Sequence, residues 1–130
     1  MSDNLYEKGV QMRRSVLGDA HVDNAETNKT DFDKDFQEYI TNNAWGSVWS
    51  SPGLTKRERS LITIALLAAP GHKEELAMHI RATKNTGATE DDVKEVLLHT
   101  AVYAGVRINL TYTYRVKMRP YFSSYRFSAA

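Results

Sequence analysis

Cysteine is absent from this chain of 130 residues, and long apolar runs are absent as well. Without cysteine the chain cannot form disulfides, zinc–thiolate sites, thiol nucleophiles or dithiol redox pairs. The longest apolar stretch, residues 61–70, is too short to cross a bilayer. The first residues have neither the basic nor the apolar region of a signal peptide. We therefore expect a cytoplasmic protein that does not insert into a membrane.

An excess of one charge is also missing, because 17 basic residues balance 16 acidic ones. The distribution is uneven: residues 1–49 hold nine acids and five bases, whereas residues 96–130 hold five bases and no acid. This C-terminal segment is also rich in tyrosine, a combination found in single-strand nucleic-acid binding. No RNP, KH or helix-turn-helix signature accompanies it, so we expect no nucleic-acid partner.

Helical periodicity and helix caps fill the chain up to residue 105 and predict an all-α fold in one domain, residues 1–130. Five helices are expected, over residues 3–17, 31–40, 55–69, 74–85 and 90–104. Residues 19–30 read as a polar loop, and residues 42–53 read as an aromatic, irregular segment. Residues 108–118 alternate apolar and polar side chains, which is a strand pattern.

Three particular expectations follow from these helices. A capping box, Thr55 to Glu58, opens the third helix, which is apolar on nearly all sides and should be central. Thr89 caps the fifth helix, with acids in its first turn. In the second helix, the spacing of Phe32, Phe36 and Tyr39 predicts one buried aromatic face.

Side chains that could perform chemistry cluster on the fourth helix. His72, Glu75 and His79 follow an i, i+3, i+7 spacing and share one face. Three interpretations remain open: a divalent metal site that lacks one or two ligands, a solvated face with one buried histidine, and an acid–base pair. Arg81 points away from the face of His79 by helical geometry.

Other candidates have both functional and structural interpretations. Arg59, near a helix start, could hold an anion, or it could belong to an exposed basic turn. The i, i+4 pair Trp45 and Trp49 is typical of a core or interface anchor. His21 and His99 are more often hydrogen-bonded structural residues than active ones.

Several segments, in order and with compatible spacing over about residues 5–106, resemble the carboxymuconolactone decarboxylase family. They are Met12–Val22, Thr30–Asp33, Phe36-Gln37, Ala44–Trp49, Pro52–Leu54, Arg59–Leu61, Glu74–Ala82, Gly87–Thr89 and Tyr103–Val106. The resemblance implies an alkylhydroperoxidase D-like domain of about five to six helices and a homo-oligomer, usually a hexamer built as a trimer of dimers. Residues 107–130 depart from the family pattern.

The same resemblance implies a branch within that superfamily. Redox relatives carry two cysteines where this chain has His72 and Glu75, and a glutamate where it has Ser60. The chain therefore fits the decarboxylase branch. The implied reaction is decarboxylation of γ-carboxymuconolactone to β-ketoadipate enol-lactone in protocatechuate catabolism, with no cofactor and no metal.

The resemblance also implies roles for individual residues around a small dicarboxylate lactone. His79 would donate or orient the proton, Glu75 would be its acid–base partner, and Arg59 would hold a carboxylate or the dienolate oxygen. The expected substrate-binding residues are Trp45, Trp49, His21 and Arg81. The alternatives are an enzyme for a related small lactone and a non-catalytic oligomeric binding or scaffold protein of the same fold.

Overall fold

The computed structural model describes residues 2–105, and this part of the chain is helical and contains no strand. Its elements are α1 (Ser2–Leu17), α2 (Asp19–Thr27), α3 (Lys34–Ile40), a π-helix (Thr41–Trp49), α4 (Lys56–Ala68), α5 (Lys73–Arg81), α6 (Thr83–Thr86) and α7 (Glu90–Ala104). The predicted all-α class is confirmed. The strand pattern at 108–118 and the divergent segment 107–130 lie outside the described residues. None of the described helices has the length and apolarity needed to span a membrane.

The chain divides into two compact units. The first comprises the residues up to Arg59 together with Asn85–Gly87. The second comprises Ser60–Lys84 and the described residues that follow Gly87. The predicted site residues are therefore distributed over both units: His21, Trp45, Trp49 and Arg59 belong to the first, and Glu75, His79 and Arg81 to the second.

In the first unit, α1 packs along the π-helix at very close range. Two glycines make this approach possible. A Cβ on Gly9 would collide with the backbone oxygen of Thr41, and a Cβ on Gly46 would collide with the carbonyl oxygen of Leu5. Each glycine is thus required by the backbone of the facing helix.

The predicted loop at residues 19–30 is wrong, because most of it forms α2. Gly18 ends α1 in a left-handed conformation, with φ 91°. The guanidinium of Arg14 then pairs with Asp19 at 3.2 Å and with Asp23 at 2.8 Å, one helical turn apart on α2. Val22 is the buried residue of this helix. One buried position produces no apolar stripe, so the sequence pattern did not indicate a helix.

Residues 42–53, which were predicted to be irregular, instead contain most of the π-helix. Its buried residues are Thr41, Trp45, Gly46 and Trp49, and the Ser50 hydroxyl donates to the Trp45 carbonyl at 2.7 Å. The wider turn of a π-helix shifts the period away from 3.6 residues, which is the period that sequence analysis detects.

The prediction of a buried aromatic face on the second helix is also wrong. Helix α3 begins at Lys34, so Phe32 lies outside it and is 98% exposed. Phe36 and Tyr39 lie within α3, and both are more than half exposed.

The core of the second unit joins three helices. Ile64 and Ala68 of α4 pack with Leu76 and Ile80 of α5 and with Val93 of α7. The opposite side of α4 exposes large apolar side chains, at Ile62 and Leu66. The expectation that this helix is central on all sides is therefore wrong within the single chain, because only one of its faces is buried. The fourth predicted helix is divided into α5 and α6.

Both predicted caps are confirmed. At the start of α4, the Thr55 N–H donates to the Glu58 carboxylate at 2.8 Å, and the Glu58 N–H donates to the Thr55 hydroxyl at 3.2 Å. The Thr55 hydroxyl also donates to this carboxylate, at 3.0 Å, and the two hydrogen bonds that Thr55 donates to it lower the pKa of Glu58. At the start of α7, Thr89 and Asp92 form a second reciprocal capping box. Glu58 thus has a structural role, as its position suggested.

Candidate active site

His79 is a buried histidine of the second unit. It lies in the last turn of α5 and keeps only 7% of its surface exposed. Its neighbour Ile80 and Leu76, one turn earlier, are both in the apolar core. An imidazole in such surroundings can exchange protons with a bound molecule while bulk water is largely excluded.

Glu75 precedes His79 by four residues, so the two side chains share one face of α5. Unlike His79, Glu75 is exposed. It lines an open depression of about 350 Å³ at the start of α5, together with His72, Lys73 and Glu74. The face therefore runs from a solvated carboxylate to a buried imidazole, which agrees with the interpretation that expected one buried histidine.

His72 ends the turn before α5 and is exposed. Within residues 2–105, no group of three or more His, Cys, Asp or Glu side chains is close enough to hold a metal ion. The partial metal site considered for His72, Glu75 and His79 therefore gains no support from the described residues.

The two predicted arginines differ in their surroundings. Arg59 is half-buried on α4 in the first unit, and its Nη2 donates to the Ser51 carbonyl at 2.9 Å. This hydrogen bond ties the guanidinium to the loop that precedes α4 and restricts its orientation. Arg81 is exposed in the last turn of α5, on a different side from the buried His79.

Trp45 and Trp49 form a stacked pair in the first unit. Their ring centroids are 5.1 Å apart with an interplanar angle of 27°, and the side chains are 6% and 8% exposed. This agrees with the anchor interpretation of the pair. His21 lies on helix α2 rather than in a loop and is exposed. His99 is exposed on α7, where its ring stacks on Tyr103 at 4.9 Å.

A groove in the first unit contains none of the predicted site residues. It has a volume of about 620 Å³ and is open to solvent. Its lining carries both charges and consists of Tyr6, Glu7, Lys29, Lys34, Asp35, Glu38 and Asn42. We therefore centre the candidate site on His79 rather than on this groove.

One buried polar residue of the second unit was not among the predicted site residues. Ser60 is 1% exposed, and its hydroxyl has no hydrogen-bond partner among the described residues. The signal was present in the sequence, since Ser60 precedes Ile64 and Ala68 at intervals of four on one helix face. The helix is rich in apolar residues, so its pattern indicates a hydrophobic core more strongly than a buried polar site.

Comparison with known proteins assigns the chain to a family. The family model of the carboxymuconolactone decarboxylases matches residues 34–108. The 4-carboxymuconolactone decarboxylase of Acinetobacter baylyi is 50% identical over 104 residues, which are 80% of this chain and 78% of that protein. The chain belongs to the carboxymuconolactone decarboxylase family.

Two further family relatives are similar to this chain. The nitrosuccinic acid decarboxylase of Metarhizium robertsii is 44% identical over 101 residues, covering 78% of this chain and 71% of the relative. A 4-carboxymuconolactone decarboxylase of Pseudomonas putida is 54% identical over 41 residues, covering 32% of this chain and 85% of the relative. All three relatives carry the name of a decarboxylase.

Proposed function

We propose that this chain is a carboxy-lyase that decarboxylates 4-carboxymuconolactone without a cofactor. The observation that carries the proposal is the 50% identity to the Acinetobacter baylyi enzyme of that name over 104 residues. The identity extends over four-fifths of the chain.

The substrate itself supplies the electron sink. When the ring carboxylate leaves as carbon dioxide, its bonding electrons pass through the ring double bond into the lactone carbonyl and form a dienolate. A proton then returns to a ring carbon and gives the enol-lactone. The protein has to orient a dianion, stabilise the developing oxyanion and deliver one proton.

His79 is our proposed proton donor, or the group that orients the donor, and Glu75 is its acid–base partner. The burial of His79, which is 7% exposed, supports this role, because a partly desolvated imidazole can transfer a proton without exchanging it with bulk water first. The exposed position of Glu75, four residues earlier on the same face, would connect the imidazole to solvent.

Arg59 is proposed to bind a substrate carboxylate or the dienolate oxygen. A guanidinium whose Nη2 is fixed by the Ser51 carbonyl is preorganised for a planar carboxylate. Trp45, Trp49, His21 and Arg81 are proposed to contribute to substrate binding, in this subunit or from a neighbouring one.

We propose that the active form is a homo-oligomer, a hexamer built as a trimer of dimers. Large apolar side chains that a single chain leaves exposed support an assembly. They lie on three parts of the chain, near α3 (Phe32, Phe36, Tyr39), on α4 (Ile62, Leu66) and on α7 (Leu98, Val102, Tyr103).

Nitrosuccinic acid is a second candidate substrate, which the 44% identity to the Metarhizium robertsii enzyme favours. Its chemistry makes similar demands, because loss of the carboxylate beside the nitro group leaves a nitronate, which takes up one proton at carbon while the second carboxylate stays on the molecule. Steady-state kinetics of the purified protein with each acid would separate the two. We expect a higher kcat/KM for the lactone; a higher value for nitrosuccinate would reverse the assignment.

A further inference from the structure

The hydroxyl of Ser60 differs in its hydrogen bonding from two other buried hydroxyls of the second unit. Thr83 donates to the carbonyl of Ile80, and Thr100 donates to the carbonyl of Val96, each at 2.7 Å. A buried serine in a helix can bond the carbonyl four residues earlier in the same way. Ser60 is more deeply buried than either threonine, yet its hydroxyl has no hydrogen-bond partner among the described residues.

Buried polar groups are generally satisfied, so an unsatisfied hydroxyl indicates a partner that protein atoms do not provide. A ligand that touched Ser60 directly would have to reach a side chain that is only 1% exposed. A small buried molecule such as water fits this position better, provided that a second polar group lies close enough to share it.

The candidate for this second polar group is the imidazole of His79, which is buried in the same unit. A short turn, residues 69–72, joins the two helices, and their buried faces meet through Ile64, Ala68, Leu76 and Ile80. Ser60 lies one turn before Ile64 on the buried face of α4. His79 directly precedes Ile80 on α5, so Ser60 and His79 both border the buried cluster that contains Ile64 and Ile80.

We propose that Ser60 is a positioning residue, whose hydroxyl holds the imidazole of His79 in one orientation through a bridging buried water. The inference rests on the proposed function for its catalytic meaning, since His79 is the proposed proton donor. The contact itself does not depend on which substrate is used.

Two variants separate hydrogen bonding from packing. Ser60→Ala removes the hydroxyl and leaves a small void, whereas Ser60→Cys keeps nearly the same volume and replaces the hydroxyl by a weak hydrogen-bonding group. Ser60→Thr restores a hydroxyl. Thr100→Val serves as the control, because it removes another buried hydroxyl of the second unit while preserving side-chain shape.

The primary readout is the side-chain nitrogen NMR spectrum of His79 in the full-length protein, assigned with His79→Gln. We expect Ser60→Ala and Ser60→Cys to change the imidazole shifts alike, Ser60→Thr to restore them, and Thr100→Val to leave them unchanged. Unchanged shifts in both Ser60→Ala and Ser60→Cys would overturn the proposal, and so would a change in Ser60→Ala alone, which would indicate packing.

Kinetics with the lactone provide the second readout. Loss of the positioning contact should lower kcat about tenfold while KM stays within about twofold, because the contact orients the proton donor and does not bind substrate. A rise in KM with unchanged kcat would contradict a positioning role. If the wild-type protein turned over no lactone, the proposed function would fail, whereas the NMR result would still decide the role of Ser60.

Discussion

The side chain on which the account depends most is His79, whose environment follows from its place on α5. The sequence predicted that His79 shares a helix face with Glu75, since a spacing of four residues determines that relation in any α-helix. Sequence spacing does not determine how deeply each of these side chains is buried. The 7% exposure of His79 and the solvated position of Glu75 result from the packing of α5 against α4 and α7.

Replacing His79 by glutamine should lower kcat for the lactone by about 100-fold or more, because general-acid catalysis contributes that much or more in typical sites. Glu75→Gln should have a smaller effect in the same direction, since Glu75 acts through His79. Stopped-flow or steady-state ultraviolet kinetics would measure both.

The matched control for these two variants is Glu74→Gln, which changes an exposed carboxylate beside Glu75 to which we assign no catalytic role. Its rate should stay near that of the wild type. Full turnover by folded His79→Gln would remove this histidine from the reaction and would contradict our assignment.

At the scale of the helix, caps and periodic apolar faces were predictable, and the remaining features were not. The Thr55 and Thr89 capping boxes are local, so a few residues specify them. Helix α2 buries one residue, Val22, and its first turns carry the ion pairs with Arg14, so it has no apolar stripe for a sequence pattern to detect. The π-helix packs closely against α1, which is distant in sequence, and local sequence patterns do not reveal such a contact.

The capping box of α4 predicts a dependence of stability on pH. The hydrogen bonds from Thr55 hold the pKa of Glu58 below its usual value in the folded protein. The stability that the ionised Glu58 carboxylate adds to the folded protein is therefore fully present above about pH 4.3, which is the pKa of glutamate in an unfolded chain. It is lost as the pH falls through the lower pKa of Glu58 in the folded protein.

Melting temperatures of the wild type and Glu58→Gln between pH 7 and pH 3 would test this dependence. The wild type should melt at the higher temperature near neutral pH, and the difference should narrow below about pH 4. Glu95→Gln, at an exposed position on α7, should show no such narrowing. A difference that widens at low pH would contradict the capping role.

The close contact between α1 and the π-helix leads us to predict that a glycine-to-alanine substitution in α1 lowers stability, which is the reverse of the usual effect in a helix. Glycine to alanine in a helix interior normally stabilises by up to about 1 kcal/mol. Gly9→Ala should instead destabilise by about 2 kcal/mol, because its methyl group would collide with a backbone oxygen that cannot move aside as a side chain would.

Urea denaturation would measure that change in the free energy of unfolding. Gly53→Ala is the matched control, since a Cβ at Gly53 has no heavy atom within 4 Å, and it should be close to neutral. A stabilising Gly9→Ala would show that the two helices are not in close contact in solution.

At the scale of the molecule, the exposed apolar side chains predict self-association. Light scattering on the purified protein should give a mass of six chains of 14.7 kDa. Leu66→Glu, which places a charge on the exposed face of α4, should lower that mass. Lys84→Glu, at an exposed position of α6 where none of these apolar side chains lies, is the control for a change of charge. The mass of a single chain for the wild type would contradict the proposed assembly.

The central claim is that the chain removes carbon dioxide from 4-carboxymuconolactone by means of its own side chains. Its most direct test follows the ultraviolet absorbance of the lactone and the carbon dioxide released, with and without a chelator, using the Acinetobacter baylyi enzyme as a positive control. We predict one carbon dioxide per lactone consumed, at a rate that the chelator does not change. A folded protein that leaves the lactone intact under conditions where the control consumes it would contradict the account.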